Sequence, residues 1–203
     1  MPISHVSRSS ALRVALVAVP VAVASMLGCG GGRAQVGSAN PAAVVSAQPK
    51  WYPAPPRKDG FLVASASAES PDLHVGMSRA RMRARTEIAQ ALEVRLQGLQ
   101  KSFSEQTGAG SDGRVLDQFT EVTRTVVSDV LNGSEVTDSK VLATKSGYVV
   151  FALVQMPIGE ANRAFMMHAR ARDELWTQLR SSKAFQELDA EIRKLDSTRV
   201  KQP

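Results

Sequence analysis

The chain has 203 residues, a single cysteine and a formal net charge of +6. One cysteine excludes an intramolecular disulfide framework, and so mild a positive charge argues against a nucleic-acid-binding protein. Arg8 and Arg13 lie in an N-terminal segment that we predict to be removed. Without them, 23 of the 25 cationic side chains remain against 19 acidic ones, so the mature chain is near +4.

The N-terminal 28 residues have the features of a bacterial export signal. Two cationic side chains, Arg8 and Arg13, precede an almost entirely apolar run of 15 residues, Val14–Gly28. A membrane-spanning helix needs roughly 20 apolar residues, and Pro20 further disfavours a straight helix here. A cationic start followed by a short apolar centre and small residues predicts a signal peptide over residues 1–28.

The only cysteine, Cys29, lies where a bacterial lipoprotein signal carries its lipidated residue. The lipobox of such signals is Leu, a small residue, Gly or Ala, and then Cys. Gly28 and Cys29 fit this pattern, whereas Met26 and Leu27 depart from it. An ordinary signal peptide with a coincidental cysteine is the alternative. We predict lipidation of Cys29, which would be an effectively permanent anchor because each buried CH₂ contributes about 0.8 kcal/mol.

The residues after Cys29 predict both a tether and a destination. After cleavage Gly30 becomes the second residue, where many bacteria with two membranes place an aspartate to retain a lipoprotein in the inner membrane. No carboxylate occurs between Gly30 and Lys50, and the segment is rich in Gly, Ala, Ser and Pro. We therefore expect residues 29–50 to be a lipidated cysteine and flexible tether, and we expect an outer-membrane protein whose domain faces the periplasm.

The remaining chain, residues 51–200, predicts one α+β domain. Trp51 and Tyr52 are either a lid over the core or membrane-interface residues, and we favour the lid. The predicted elements, in chain order, are a strand Phe61–Ala68, a helix Pro71–Gln106, a helix from Asp112 or Arg114 to Leu131, strands Ser134–Thr144 and Tyr148–Met156, a helix from Gly159 to Leu179 and, after a break at Ser181–Ser182, a shorter amphipathic piece as far as Leu195. This β-α-α-β-β-α order predicts a small three-stranded antiparallel sheet packed against long helices.

Local patterns support these elements. Ser70 and Pro71 suit the N-cap and first turn of the long helix, and Ala80 and Ala84 leave room on its apolar stripe for a close neighbour such as the sheet. The strand Tyr148–Met156 is apolar on both faces, which predicts a central position. The second helix has an apolar face at Leu116, Phe119, Val122, Val126 and Val130.

The sequence offers few groups for catalysis or metal binding. His74 and His168 lie on different predicted helices without a metal-binding spacing, and Glu87, Glu93 and Asp138 are scattered carboxylates. The chain also has no Gly-x-Ser-x-Gly motif for a serine nucleophile. We therefore expect no cofactor, no metal and no enzymatic activity, with a surface or boundary position for each histidine.

The most basic stretch, RARMRAR, places four arginines on the long helix. At 100° per residue, Arg79 and Arg83 share one side of the Ala stripe while Arg81 and Arg85 share the other. Export disfavours a nucleic-acid partner for this stretch. Two interpretations stay open: solvated flanks with an Arg83–Glu87 pair, or docking to anionic lipid head groups or an acidic partner.

Several of these motifs together resemble the LPP-twenty lipoprotein family. The lipoprotein signal and Trp51–Tyr52 are followed by a helix with Ala80, Ala84, Arg85, Glu87, Ile88 and Ala89 in the family spacing. Gly133, Val136, Asp138 and the strand from Tyr148 to Val150 are similar to the family's closing hairpin. Ala64–Ser65–Ala66 departs from the family, whose first strand ends in Gly. The resemblance implies a small outer-membrane lipoprotein without enzymatic activity, and some relatives are associated with the flagellar basal body.

Two functions from different classes follow. The first is an envelope interaction or assembly protein, held at the membrane by its lipid and acting as a homo-oligomer or with an envelope protein partner. The alternative is a periplasmic module that binds a small molecule or an envelope polymer in a pocket that the sequence does not reveal.

Overall fold

The computed structural model describes residues 41–108 and 112–200. Within these ranges lie six helices and three strands. In chain order they are α1 (Pro41–Ala47), β1 (Phe61–Ser70), α2 (Leu73–Thr107), α3 (Gly113–Gly133), β2 (Glu135–Thr144), β3 (Gly147–Pro157), α4 (Ile158–Arg170), α5 (Asp173–Leu179) and α6 (Lys183–Val200). The predicted α+β class and β-α-α-β-β-α order are confirmed, with α1 as an additional short helix.

The sheet is antiparallel with the strand order β1-β3-β2. Ala66 pairs with Ala152 in the β1–β3 ladder, and Val141 pairs with Val150 in the β2–β3 ladder. The prediction that the last strand is central is confirmed, because β3 is buried over most of its length. A β-bulge between Val136 and Asp138 interrupts β2, which is largely exposed.

One face of the sheet packs against α2. Ala80, Ala84 and Ile88 on this helix are fully buried, and they lie over small side chains of β1, such as Ala66 and Ala68. The predicted Ala stripe therefore faces the sheet. Because the side chains in this contact are small, the helix approaches the strands closely. Helices α3 to α6 complete the core around the C-terminal half of α2.

The opposite face of the sheet is covered by the segment that leads into β1. Val44, Trp51 and Tyr52 pack against Val149 and Phe151. The tether expectation for residues 29–50 thus differs from the structure at residues 41–50, where helix α1 lies, and its part at residues 29–40 lies outside the described residues. The physical reason is the apolar outer face of β3, which gives this segment a surface on which to pack.

The start of α2 corrects a predicted cap. Ser70 ends β1 instead of capping a helix at Pro71, and its hydroxyl accepts a hydrogen bond from the Asp72 backbone N–H at 3.2 Å. Asp72 is the N-cap, since its carboxylate accepts from the Val75 N–H at 2.9 Å. The pairing of β1 with β3 extends through Ser70, which pairs with Tyr148. Ser70 therefore belongs to the strand, although local propensity favours it as a helix N-cap.

Two helix details also differ from the predictions. In α3 the first buried apolar residue is Val115, whereas Leu116 is only partly buried. The predicted helix Gly159–Leu179 is broken at Ala171–Arg172 into α4 and α5. The first turn of α5 is held by α3, because the Gln118 side chain accepts from the Leu175 N–H at 3.2 Å.

Two glycines allow close backbone approaches. Gly147 has φ = +139° and lies so near β1 that an added Cβ would be 2.4 Å from the Ser70 carbonyl oxygen. Gly159, in the first turn of α4, would place a Cβ 2.8 Å from the Glu191 carbonyl oxygen of α6. The hairpin and the α4–α6 crossing therefore both require the absence of a side chain.

Candidate functional site

A polar cleft opens between α2, α4 and α6. It encloses about 360 Å³, and its lining residues are Arg95, Leu96, Gly98, Leu99, Ser102, Asn162, Glu187 and Leu188. Three leucines form its apolar part, and two of them, Leu96 and Leu188, are buried in the main core. The cleft therefore combines an apolar base with polar groups from all three helices.

Asn162 is the buried polar group of this cleft. It lies on the face of α4 that carries Ala161, Phe165 and Ala169 into the core, and it is only 1% exposed. Its side-chain Oδ1 has no hydrogen-bond partner. Buried polar groups are nearly always paired, so this unpaired acceptor marks Asn162 as a candidate ligand contact.

The rim of the cleft carries opposite charges on different helices. Arg95 and Ser102 belong to α2, Glu187 belongs to α6, and all three are exposed. Within residues 41–108 and 112–200, neither Arg95 nor Glu187 forms an ion pair or side-chain hydrogen bond. Both charged groups are thus available to a molecule in the cleft.

Two of the four predicted arginines, Arg83 and Arg85, bond to opposite sides of the sheet. The Arg83 guanidinium donates to the Ser67 carbonyl of β1 at 2.8 Å, and Arg85 donates to the Ser134 carbonyl just before β2 at 3.4 Å. Arg79 is exposed and Arg81 is half-buried. Arg83 and Arg85 therefore lie on opposite sides of the helix, as predicted for these two, and they tie α2 to both edges of the sheet.

These bonds change the choice between the two interpretations of the basic stretch. Arg83 donates to a backbone carbonyl, and the described residues show no Arg83–Glu87 ion pair. The Nε of Arg85 is buried. Arg79 and Arg81 are therefore the two arginines of the stretch that form no hydrogen bond or ion pair within the described residues, and Arg79 is also exposed.

The histidines and carboxylates do not converge. His168 is half-buried and its Nε2 lies 3.3 Å from Asp129 Oδ2 of α3, while His74 is exposed at the start of α2. Glu93 accepts from Gln97 on the same helix at 3.3 Å, and Asp138 lies on β2. Across the part of the chain that the structure describes, no three His, Cys, Asp or Glu side chains form a group suited to a metal ion.

Trp51 and Tyr52 form the predicted lid over the outer sheet face. The Tyr52 ring meets Phe151 edge-on, with 4.8 Å between ring centroids, and its hydroxyl lies 3.0 Å from Ser67 Oγ. Ser65 donates to the Tyr52 carbonyl at 2.7 Å. The lid is therefore fixed to β1 by polar contacts and to β3 by apolar ones.

The predicted signal peptide and Cys29 lie outside the described residues. Among the helices that are described, none combines the length and hydropathy of a membrane span. The chain matches no protein-family model, and comparisons with curated proteins and with solved structures likewise give no match.

Sequence reasoning did not find the Asn162 cleft. A signal was present, because Asn162 interrupts a helical stripe of apolar residues in α4. The placement of Arg95 and Glu187 at the same cleft could not be read from the sequence, since these residues are about 90 positions apart.

Proposed function

We propose that this chain is a lipid-anchored outer-membrane protein with a non-enzymatic role in envelope assembly. The anchor is proposed to be Cys29, which follows a short apolar run and precedes Gly30 instead of a retaining aspartate. The resemblance to the LPP-twenty family supports the same placement. Eleven residues separate Cys29 from Pro41, where α1 begins. Such a length spans at most about 40 Å, so the anchor would keep the domain close to the membrane.

The observation that carries the assembly role is the free edge of β2. Among the residues that the structure describes, this strand pairs with β3 on one side only, most of its residues are exposed, and Val141 is 43% exposed. An open strand edge presents unpaired backbone donors and acceptors to another strand. We infer that β2 pairs with β2 of a second copy of this chain.

Charge complementarity supports a second copy as the partner. Asp138 and Lys140 pair with alternate residues of β3, so they lie on the same face of the sheet on either side of Ser139. In an antiparallel two-fold pairing centred on Ser139, Asp138 of each copy faces Lys140 of the other. Opposite charges across such a pair stabilise it, and the two-fold axis forms the contact twice.

Charge reversal tests the assembly role. Lys140→Asp should convert the detergent-solubilised full-length protein from a dimer or larger oligomer to a monomer, as measured by sedimentation. The combined exchange Asp138→Lys with Lys140→Asp should restore the oligomer, because the attraction is re-formed with the charges reversed. Lys145→Asp, in the turn beyond the strand, is the matched control. The β2 interface would be contradicted if the wild type were monomeric, or if Lys140→Asp left the oligomeric state unchanged.

The anchor has its own test. We expect wild-type protein to incorporate palmitate and to band with the outer membrane on a density gradient. Cys29→Ser should prevent labelling and processing, and Gly30→Asp should shift the labelled protein to the inner membrane. Absence of palmitate from wild type, together with unchanged fractionation of Cys29→Ser, would remove the lipoprotein proposal.

A further inference from the structure

We propose that the cleft between α2, α4 and α6 binds a small zwitterion of amino-acid or dipeptide size. Its carboxylate would pair with Arg95, its ammonium group with Glu187, and an N–H group would donate to Asn162 Oδ1. The cleft is built from different residues than the β2 edge. The inference therefore stands independently of the proposed assembly role.

Asn162 supplies the first argument. It is 1% exposed, and its Oδ1 accepts no hydrogen bond. An unpaired buried acceptor destabilises a folded protein, because it has lost its hydrogen bonds to water without replacing them. A ligand N–H in the cleft would supply the missing donor, and it would gain a hydrogen bond in a region of low dielectric constant.

The leucines around Asn162 supply the second argument. Leu96 and Leu188 are buried and Leu99 is partly buried, so the base of the cleft is apolar. Such a base accommodates a small aliphatic group and displaces water from the polar contacts beside it. The enclosed volume of about 360 Å³ lies within the range of small-molecule sites, roughly 300–1,000 Å³.

The rim determines the charge of the ligand. Arg95 lies on α2 and Glu187 on α6, and within the described ranges neither is engaged by another side chain. A simple anion would be attracted by Arg95 and repelled by Glu187, and a simple cation would experience the reverse. A molecule with one carboxylate and one ammonium group satisfies both. Gly98, one turn after Arg95, keeps this side of the cleft free of a side chain.

Dialanine is the probe. It carries a carboxylate, an ammonium group, an amide N–H and two methyl groups. Calorimetric titration of dialanine into the full-length protein in detergent should give a saturable heat of binding with either the all-L or the all-D form. The N-acetylated dialanine amide has the same backbone without charges, and we expect it to bind at least about tenfold more weakly.

Rim variants test the assigned contacts without altering the core. Arg95→Gln and Glu187→Gln should each weaken dialanine binding about tenfold, the loss expected for one charge-assisted hydrogen bond. Both side chains are exposed, so the melting temperature should stay unchanged. Arg124→Gln, on an exposed position of α3 away from the cleft, is the matched control and should bind like wild type.

Asn162→Leu separates a ligand contact from a structural role. Replacing an unpaired buried amide by an apolar side chain should raise the melting temperature without ligand by about 3 °C and abolish dialanine binding. A lower melting temperature would show that Asn162 stabilises the core, and it would overturn the role assigned to Oδ1. Failure of both forms of dialanine to bind wild type, or equal binding by the rim variants or the uncharged analogue, would overturn the site itself.

Discussion

The two faces of the central strand β3 are covered in different ways. On one face Val150, Ala152 and Val154 lie under α2, a continuous helix of 35 residues. On the other face Val149 and Phe151 are covered by a short segment that makes contact chiefly through Val44, Trp51 and Tyr52. The first cover is a long periodic surface, whereas the second depends on a few side chains.

This difference predicts unequal stability across the sheet. The α2 face is continuous with the main core, which includes Phe103, Phe119 and Phe165. The outer face forms a separate small cluster of apolar residues. Segments with few buried contacts open at a lower free energy than the core does. We therefore expect residues 41–52 to detach from the outer face while α2 remains bound to the sheet.

The largest effect should come from a charge placed under α2. Ala84→Glu places a carboxylate at a fully buried position of the apolar contact between α2 and the sheet. We expect a loss of more than about 4 kcal/mol in the free energy of unfolding, which is enough to unfold a domain of ordinary stability. Circular dichroism of the compact unit Val36–Pro203 measures this.

The control for that change is Gln90→Glu, which adds the same charge on the exposed side of α2. It should alter stability by no more than about 0.5 kcal/mol. A cooperative, unshifted thermal transition in Ala84→Glu would mean that α2 does not pack on the sheet through its Ala stripe.

Truncation on the outer face should be less damaging. Phe151→Ala removes the ring that meets Tyr52 edge-on and leaves a gap beneath the lid. We expect a loss of about 3 kcal/mol, the low end for buried Phe→Ala changes, because the thin cover can collapse into the gap. Urea unfolding should remain a single transition, since α2 still holds the other face.

Val141→Ala is the matched apolar truncation on the same sheet. Val141 is 43% exposed, so its loss should cost no more than about 0.5 kcal/mol. If Phe151→Ala were equally mild, the segment 41–52 would contribute little to folding, and the comparison between the two faces would need revision.

The packing of α2 on the sheet could be predicted from the sequence because the pattern that indicates it is local and periodic. Ala80, Ala84 and Ile88 recur at helical spacing, and β3 is apolar on both faces. These patterns predict a helix packed on a central strand without any knowledge of distant contacts. The lid at Trp51 and Tyr52 was favoured over a membrane-interface position, and the structure places both residues against the outer face of the sheet.

The features that sequence reasoning missed depend on distant partners. Helix α1 is stabilised by packing of Val44 against β3, which lies about 100 positions later. The start of α5 depends on Gln118 of α3, and Arg114 of the same helix forms an ion pair with Glu174 at 2.9 Å. Local propensity carries no information about such contacts, so the Ala171–Arg172 break was not predicted.

The smallest effect isolates the polar attachment of the lid. Tyr52→Phe keeps the ring against Phe151 and removes the hydroxyl that lies 3.0 Å from Ser67 Oγ. One part-buried hydrogen bond contributes about 1 kcal/mol, so we expect a loss of that size. Ser67→Ala should cost a similar amount. The double variant should cost no more than either single change, because both remove the same interaction.

Hydrogen exchange of the amides in residues 41–52 should accelerate in all three variants, whereas the amides of α2 should keep their protection. Additive losses in the double variant would show that the two hydroxyls do not interact. Faster exchange in α2 would show that the two faces open together, contrary to the difference inferred from their packing.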